Sequence, residues 1–223
     1  MSEWSLPQQY MLLAVDRAAH KHRTPLKQTM QTYVCGAGIV ALLLDGRLRI
    51  AGDGKLEVAD AAPTGTEAGD LLLAHLASAK KPKTMRKWMQ DIYSIGRFRS
   101  AYFAAEAKPL LGDGWLREEK RKVLFVFPAV RYVPHNGAVG RIVRRIRSGM
   151  LQPGTVDDTT ALLVMLLEAS KLAKPYFSAS EQDQLRNKLK ALQEQQGERW
   201  ATIRHIRRAI DDMNAVIVTT TVT

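Results

Sequence analysis

The run TTALLVMLLEA (159–169) is apolar nearly all the way round a helix. Such a helix has no face to offer water, so the rest of the chain has to wrap around it. The stretch before it, Thr155-Val-Asp-Asp158, resembles a capping box with Asp in place of Glu. The fold class that follows is mainly α: a helical domain around a buried central helix. The chain has 223 residues, 46% of them hydrophobic, enough to bury a core. No Pro/Gly/Ser-rich linker divides it, so residues 1–223 are expected to form a single domain.

The shell is read element by element. LPQQYMLLAVD (6–16) is a short helix with Pro7 in its first turn, and the polar residues 17–28 are a loop. Residues 29–45 form a helix in which Gly36 and Gly38 permit close helix contact. Gly46 ends it. RLRI and KLEV flank AGDG as a first β-hairpin. Helices follow over 67–79 and 84–93, the second capped by Thr84. A helix over 99–111, kinked or ended early by Pro109, leads through Gly114 into a second hairpin with strands VLFVF and AVRYV and Pro128 at its turn or edge. The order helix, Gly, hairpin therefore occurs twice. A basic helix spans 136–151. After the buried helix comes EQDQLRNKLKALQEQQ, capped by Ser180. Last is ERWATIRHIRRAIDDMNAVIV, with Trp200, Ile203, Ile206 and Ile210 on one face.

Charge is the second constraint. Residues 80–149 carry 17 Lys/Arg against 5 Asp/Glu, a larger positive excess than the +11 of the whole chain. That excess attracts polyanions: nucleic acid, anionic lipid or an acidic partner. Inside it lies a helix with Met85, Trp88, Met89 and Ile92 at helical spacing, so the apolar stripe packs inward and Lys83, Arg86 and Lys87 point outward. With Arg97, Arg99 and Lys120-Arg121-Lys122 they can form one basic surface.

Catalytic signatures are missing. There is no G-x-S-x-G, no G-x-x-x-x-G-K and no H-E-x-x-H. GAG in VCGAGIV sits inside a helix and reads as packing. His20 and His22 lack a third metal ligand. Cys35, the one cysteine, reads as a small core residue and excludes an internal disulfide. Asp157-Asp158 reads as a helix N-terminus. No enzyme activity, metal or cofactor is expected. The N-terminus is not a secretory signal, and no apolar run reaches the roughly 18–20 residues that span a bilayer. Any membrane contact is peripheral, from a reducing cytoplasmic compartment.

The ordered set LPQQYMLLAVD, ALLLDGRLRI, DAAPTG, DLLLAHL, KPKTMRKWM, the LLGDGWL–hairpin segment and TALLVMLLEAS resembles the Golgi phosphoprotein 3 family over about residues 5–217. GRL…APTG is its most specific part. The chain starts almost at the domain, as the short bacterial members do. The resemblance implies a mostly helical domain with an exposed hairpin. It also implies peripheral, non-enzymatic adaptors that bind phosphatidylinositol 4-phosphate and hold glycosyltransferase tails. The positions corresponding to the family's lipid pocket are Leu26, Cys35, Ser100 and Phe103, none of which coordinates phosphate. The neighbouring cations Lys27, Arg97 and Arg99 are the candidates for a shifted pocket. The family hairpin falls on about Glu119–Val130, placing Lys120, Arg121, Lys122, Phe125 and Phe127 at a membrane or a second copy of the chain. The expected partners are anionic lipid, client-protein tails and another copy of the chain. A winged-helix nucleic-acid binder, with RIVRRIRSG (141–149) on phosphates, is the alternative. An oligomerising scaffold without an anionic ligand is a third class.

Overall fold

The computed structural model describes residues 4–18, 24–123, 127–194 and 198–221, with side chains for 4–16, 27–120, 130–194 and 201–217. The fold is mainly α with peripheral hairpins. Helices α1 (Leu6–Ala18) and α2 (Thr24–Leu44) come first, then strands β1 (Leu48–Ile50) and β2 (Lys55–Val58) and helix α3 (Glu67–Ala77). Strand β3 (Lys83–Thr84) runs straight into α4 (Met85–Ser94), and Ile95 alone separates α4 from α5 (Gly96–Gly112). The second hairpin is β4 (Leu116–Val123) with β5 (Phe127–Pro134). Helix α6 (Asn136–Ile146) ends in a π-helical turn (Arg147–Leu151), and α7 (Asp158–Ala169), α8 (Ala179–Gln193) and α9 (Glu198–Thr221) complete the described chain.

Helix α7 is buried continuously from Thr160 to Leu167, as its composition demands. It shares the centre with α2, which touches α1, α3, α4, α5, α7 and α9. Two glycines make that crowding feasible. A Cβ on Gly36 would overlap Met213 of α9. A Cβ on Gly38 would overlap the Tyr102 hydroxyl of α5 and meet Leu72 Cδ2 of α3 at 2.7 Å. Cys35 precedes them and is fully buried.

Several expected boundaries move. Residues 24–28 belong to α2 rather than to a loop, and His20 and His22 lie outside the described residues. Asp157, not Thr155, caps α7, accepting from Thr160 N at 2.9 Å. Ser178, not Ser180, caps α8 and forms a capping box with Glu181. Pro109 does not end α5, which runs three residues further. The chain from 216 to Thr221 continues α9. Ile203, Ile206 and Ile210 are buried together, as their spacing requires.

The repeated helix–Gly–hairpin order is present. Gly46 (φ +70°) ends α2 and Gly114 (φ +74°) ends α5, both in the left-handed region open to glycine. The first hairpin pairs Leu48 with Val58 and Ile50 with Leu56, and β3 adds a third strand against β2. In the second, the first arm is LREEKRKV rather than VLFVF, and the expected AVRYV falls within the other arm, FPAVRYVP. Pro128 lies within β5 opposite Lys122, not at the turn.

Where α5 passes α2, Tyr102 Oη donates to Glu106 Oε1 at 2.7 Å, both residues buried. Burial pushes the Glu106 carboxyl up to about 7, against the hydrogen bonds from Tyr102 and Ser5. The unfolded chain ionises this group from about pH 4.5 upward and the folded chain only from about pH 7. Stability therefore falls as pH rises across that window, by up to about 3 kcal/mol from this one group. Urea unfolding at pH 5 and pH 8 should show a smaller loss for Glu106→Gln, whose amide oxygen still accepts from Tyr102. Gly38→Ala should lower stability at either pH by about 1–3 kcal/mol, because the ring end of Tyr102 has little room to yield.

Candidate anion-binding corner

Helices α4 and α5 are joined through Ile95 alone, and sequence explains the junction locally. Thr84 caps α4, accepting from Lys87 N at 3.3 Å. Met85, Trp88, Met89 and Ile92 anchor α4 to the core. At the other end the chain turns at Ile95 and starts α5 with no side-chain cap on its first-turn amides. A bare helix N-terminus carries partial positive charge and suits an anion.

Arg99, in the first turn of α5, folds back over the bend. It is 7% exposed. Its Nη1 donates to Ile92 O at 3.0 Å and also to Tyr93 O. Gln28 of α2 donates to the same Tyr93 carbonyl at 3.2 Å. The N-terminal end of α2, the last turn of α4 and the first turn of α5 therefore converge on one peptide group. Arg99 Nε has no acceptor, and among the described residues no carboxylate pairs with the guanidinium. Desolvation lowers its pKa, yet an arginine stays charged. The corner thus holds an uncompensated buried cation. Exposed Lys27 and Arg97 flank it, and neither makes an ion pair among the described residues.

The expected single basic surface divides. Lys83 and Lys87 are both held by Asp91, at 2.8 and 3.2 Å, and Lys83 also sits over the Trp88 ring at 4.5 Å. Arg86 is exposed beside them. These three lie near the start of α4, roughly 14 Å along the helix from the bend that carries Lys27, Arg97 and Arg99. Arg99 does not point outward with the rest. Lys120 forms a third group: it is exposed on β4 and pairs in register with exposed Val130. The Arg121, Lys122 and Phe127 side chains, and Phe125 altogether, lie outside the described residues. Of the family pocket positions, Cys35 and Phe103 are core residues, the latter 5.3 Å from the Tyr132 ring. Ser100 is exposed, and the side chain of Leu26 is outside the described set. Sequence spacing did not disclose that Arg99 is sequestered; an Arg four residues past an uncapped bend was the available signal.

The family model described as Golgi phosphoprotein 3 (GPP34) matches residues 6–213. The chain belongs to the Golgi phosphoprotein 3 family. That family is not known as one of enzymes. No curated protein matches the chain at a significant level. Among the described residues no helix is long and apolar enough to cross a membrane, and no cluster of His, Cys, Asp and Glu could hold a metal.

The two arginines of this Golgi phosphoprotein 3 corner should behave oppositely in folding. Arg99→Ala removes the side-chain donor to Ile92 O and one of the two to Tyr93 O, and should lose about 1–3 kcal/mol. Arg97→Ala should stay within about 0.5 kcal/mol of the parent. Urea midpoints of the two variants make the comparison.

Proposed function

We propose that the protein docks peripherally on an anionic, cytosol-facing membrane through the α2/α4/α5 corner and serves there as a non-enzymatic adaptor. The observation that carries this reading is Arg99: a buried, uncompensated guanidinium beneath two exposed cations and an uncapped helix start. A phosphate-bearing lipid headgroup supplies the missing negative charge. Membership in the Golgi phosphoprotein 3 family supports lipid over other anions. Whether the headgroup is a phosphoinositide is a finer choice, because the family's own pocket positions are occupied differently here. Lys120-Arg121-Lys122 and the apolar sequence that follows them suit a second contact with lipid or with another copy of the chain. The client-tail half of the adaptor reading rests on the family resemblance alone.

Nucleic acid is less favoured. Three of the four arginines in RIVRRIRSG are engaged within the fold, while Arg144 is exposed. Arg145 pairs with Asp157 at 2.9 Å, Arg147 with Glu181 at 2.7 Å, and Arg141 lies over the Trp4 and Trp115 rings.

Vesicle co-sedimentation at physiological salt tests the reading, with neutral, generally anionic and phosphatidylinositol 4-phosphate vesicles, each with and without duplex DNA. Binding to anionic vesicles should survive the DNA. Arg97→Glu and Lys27→Glu should each weaken it about tenfold, given roughly 1 kcal/mol per basic residue near an anionic surface. Tight DNA binding without vesicle binding sinks the proposal and favours the nucleic-acid alternative. A strong phosphoinositide preference, abolished by Arg97→Glu, assigns the headgroup.

A further inference from the structure

A second site lies toward the C-terminal end of α2 and has the opposite charge. A cleft of about 620 Å³ opens between the start of α1, the end of α2, the start of α3 and the middle of α5. Its apolar lining includes Pro7, Ala41, Leu42, Leu72 and Ala105. One wall is residues 64–69, which begin at the end of the GRL…APTG stretch. Arg47 ties it down, pairing with Asp60 and donating to Ala62 O and Pro63 O at 3.2 Å each. Thr64 then donates to Asp70 Oδ1, and Thr66 caps α3. This bracing turns residues 64–69 to face the cleft.

Glu106 is set into the cleft and is 5% exposed. Its partners are neutral hydroxyls, Tyr102 and Ser5, which leave lone pairs of the carboxylate unused. Among the described residues no cation pairs with it. The other charged groups of the cleft are Asp45, Glu67 and Lys108, and the last two neutralise each other at 2.5 Å. Asp45 and Glu106 therefore remain, so the cleft is acidic in a protein whose net charge is +11. An apolar-walled cleft with an unpaired buried carboxyl suits one chemistry: a cation on a short hydrocarbon body.

We propose that this cleft is a binding site for a small aliphatic amine, with the ammonium on Glu106 and the alkyl body against Leu42, Leu72 and Ala105. The site is independent of the anion-binding corner and of the membrane reading.

Charge on Glu106 governs the affinity. The groups facing it are Tyr102 and Cys35, both held neutral by burial, together with Asp45, Glu67 and Lys108. Burial raises the Asp45 carboxyl as well, against the pull of Arg47. Glu106, at about 7 in the free protein, is the group that switches between pH 6 and 8. An ammonium ion stabilises its ionised form, so binding below that pH releases a proton, and affinity rises with pH until the carboxylate is fully formed.

The probes are n-butylamine and, as a neutral match of similar size, n-butanol. Binding to the full chain is followed by amide shifts of Gly69 and Ala105 and by the Glu106 carboxyl carbon in NMR. The amine should bind at least tenfold more tightly than the alcohol at pH 8, lose at least tenfold on going to pH 5, and move the Glu106 midpoint downward. Glu106→Gln should lose at least tenfold in amine affinity and leave alcohol binding unchanged. Equal binding of amine and alcohol, affinity independent of pH, or an unmoved Glu106 midpoint overturns the proposal. The wild-type pH series decides the question even should the variant fail to fold.

Discussion

Two absent Cβ atoms hold this architecture together. Helix α2 is buried without a break from Gln31 to Val40, so partners approach it from several sides at once. At Gly36 the sulfur of Met213 from α9 takes the place of a side chain, with Met89 of α4 close by. At Gly38 the hydroxyl of Tyr102 does the same, beside Leu72 of α3. Four helices are thereby located against one. Further ties reinforce the arrangement: Tyr33 Oη donates to Asn214 on α9 at 2.6 Å, and Tyr176 Oη reaches Leu13 O on α1 at 2.6 Å. The position of α5 is the consequence that matters for function, because both sites draw on it.

Much of this was legible from periodicity alone. The all-apolar run of α7, the stripe of α4, the glycine-terminated helices before each hairpin and the isoleucine face of α9 all appear in the structure where the pattern puts them. The glycine pair in VCGAGIV was read as a packing device, and it is one. Local competition between neighbouring caps was harder. Ser178-Ala-Ser180-Glu181 contains two serines, and the three-residue spacing to Glu181 selects the first. Likewise Asp157 outcompetes Thr155 because its carboxylate reaches both the amide and the hydroxyl of Thr160. The second hairpin was misregistered because VLFVF has stronger strand propensity than LREEKRKV. Pairing across the sheet, not propensity, sets the arms.

The candidate sites were less legible, since charge alone does not tell which charges are already matched. A run of cations looks uniform in sequence. In the fold, Asp91 takes up Lys83 and Lys87 at once, and only the i, i+4 pair with Lys87 is visible in the primary structure. Arg99 is withdrawn from the surface to close the helix bend, which depends on where α4 ends. Glu106 attracted no notice as one acid inside a basic region. Its meaning comes from Tyr102 reaching it past Gly38, a relation that joins α2 and α5 across the core.

Arg99 and Glu106 are the two buried charged residues among those described, and they lie seven positions apart on α5. Two helical turns set them on one face, about 10 Å apart along the axis, too far for direct pairing. Cys35 of α2 lies between and feels both, pulled down by Arg99 and up by Glu106. The helix dipole runs the same way as this separation: its positive end adds to Arg99 and helps attract an anion. The desolvated carboxyl lies mid-helix, where a cationic ligand is the natural remedy. One helix thus presents a cation-rich corner at its start and an acid-lined cleft along its middle. Arg99 keeps its charge and Glu106 gains one as pH rises through about 7, so each site favours a ligand of opposite sign. The corner and the cleft share α5 but no residue, so each can be filled while the other stays empty.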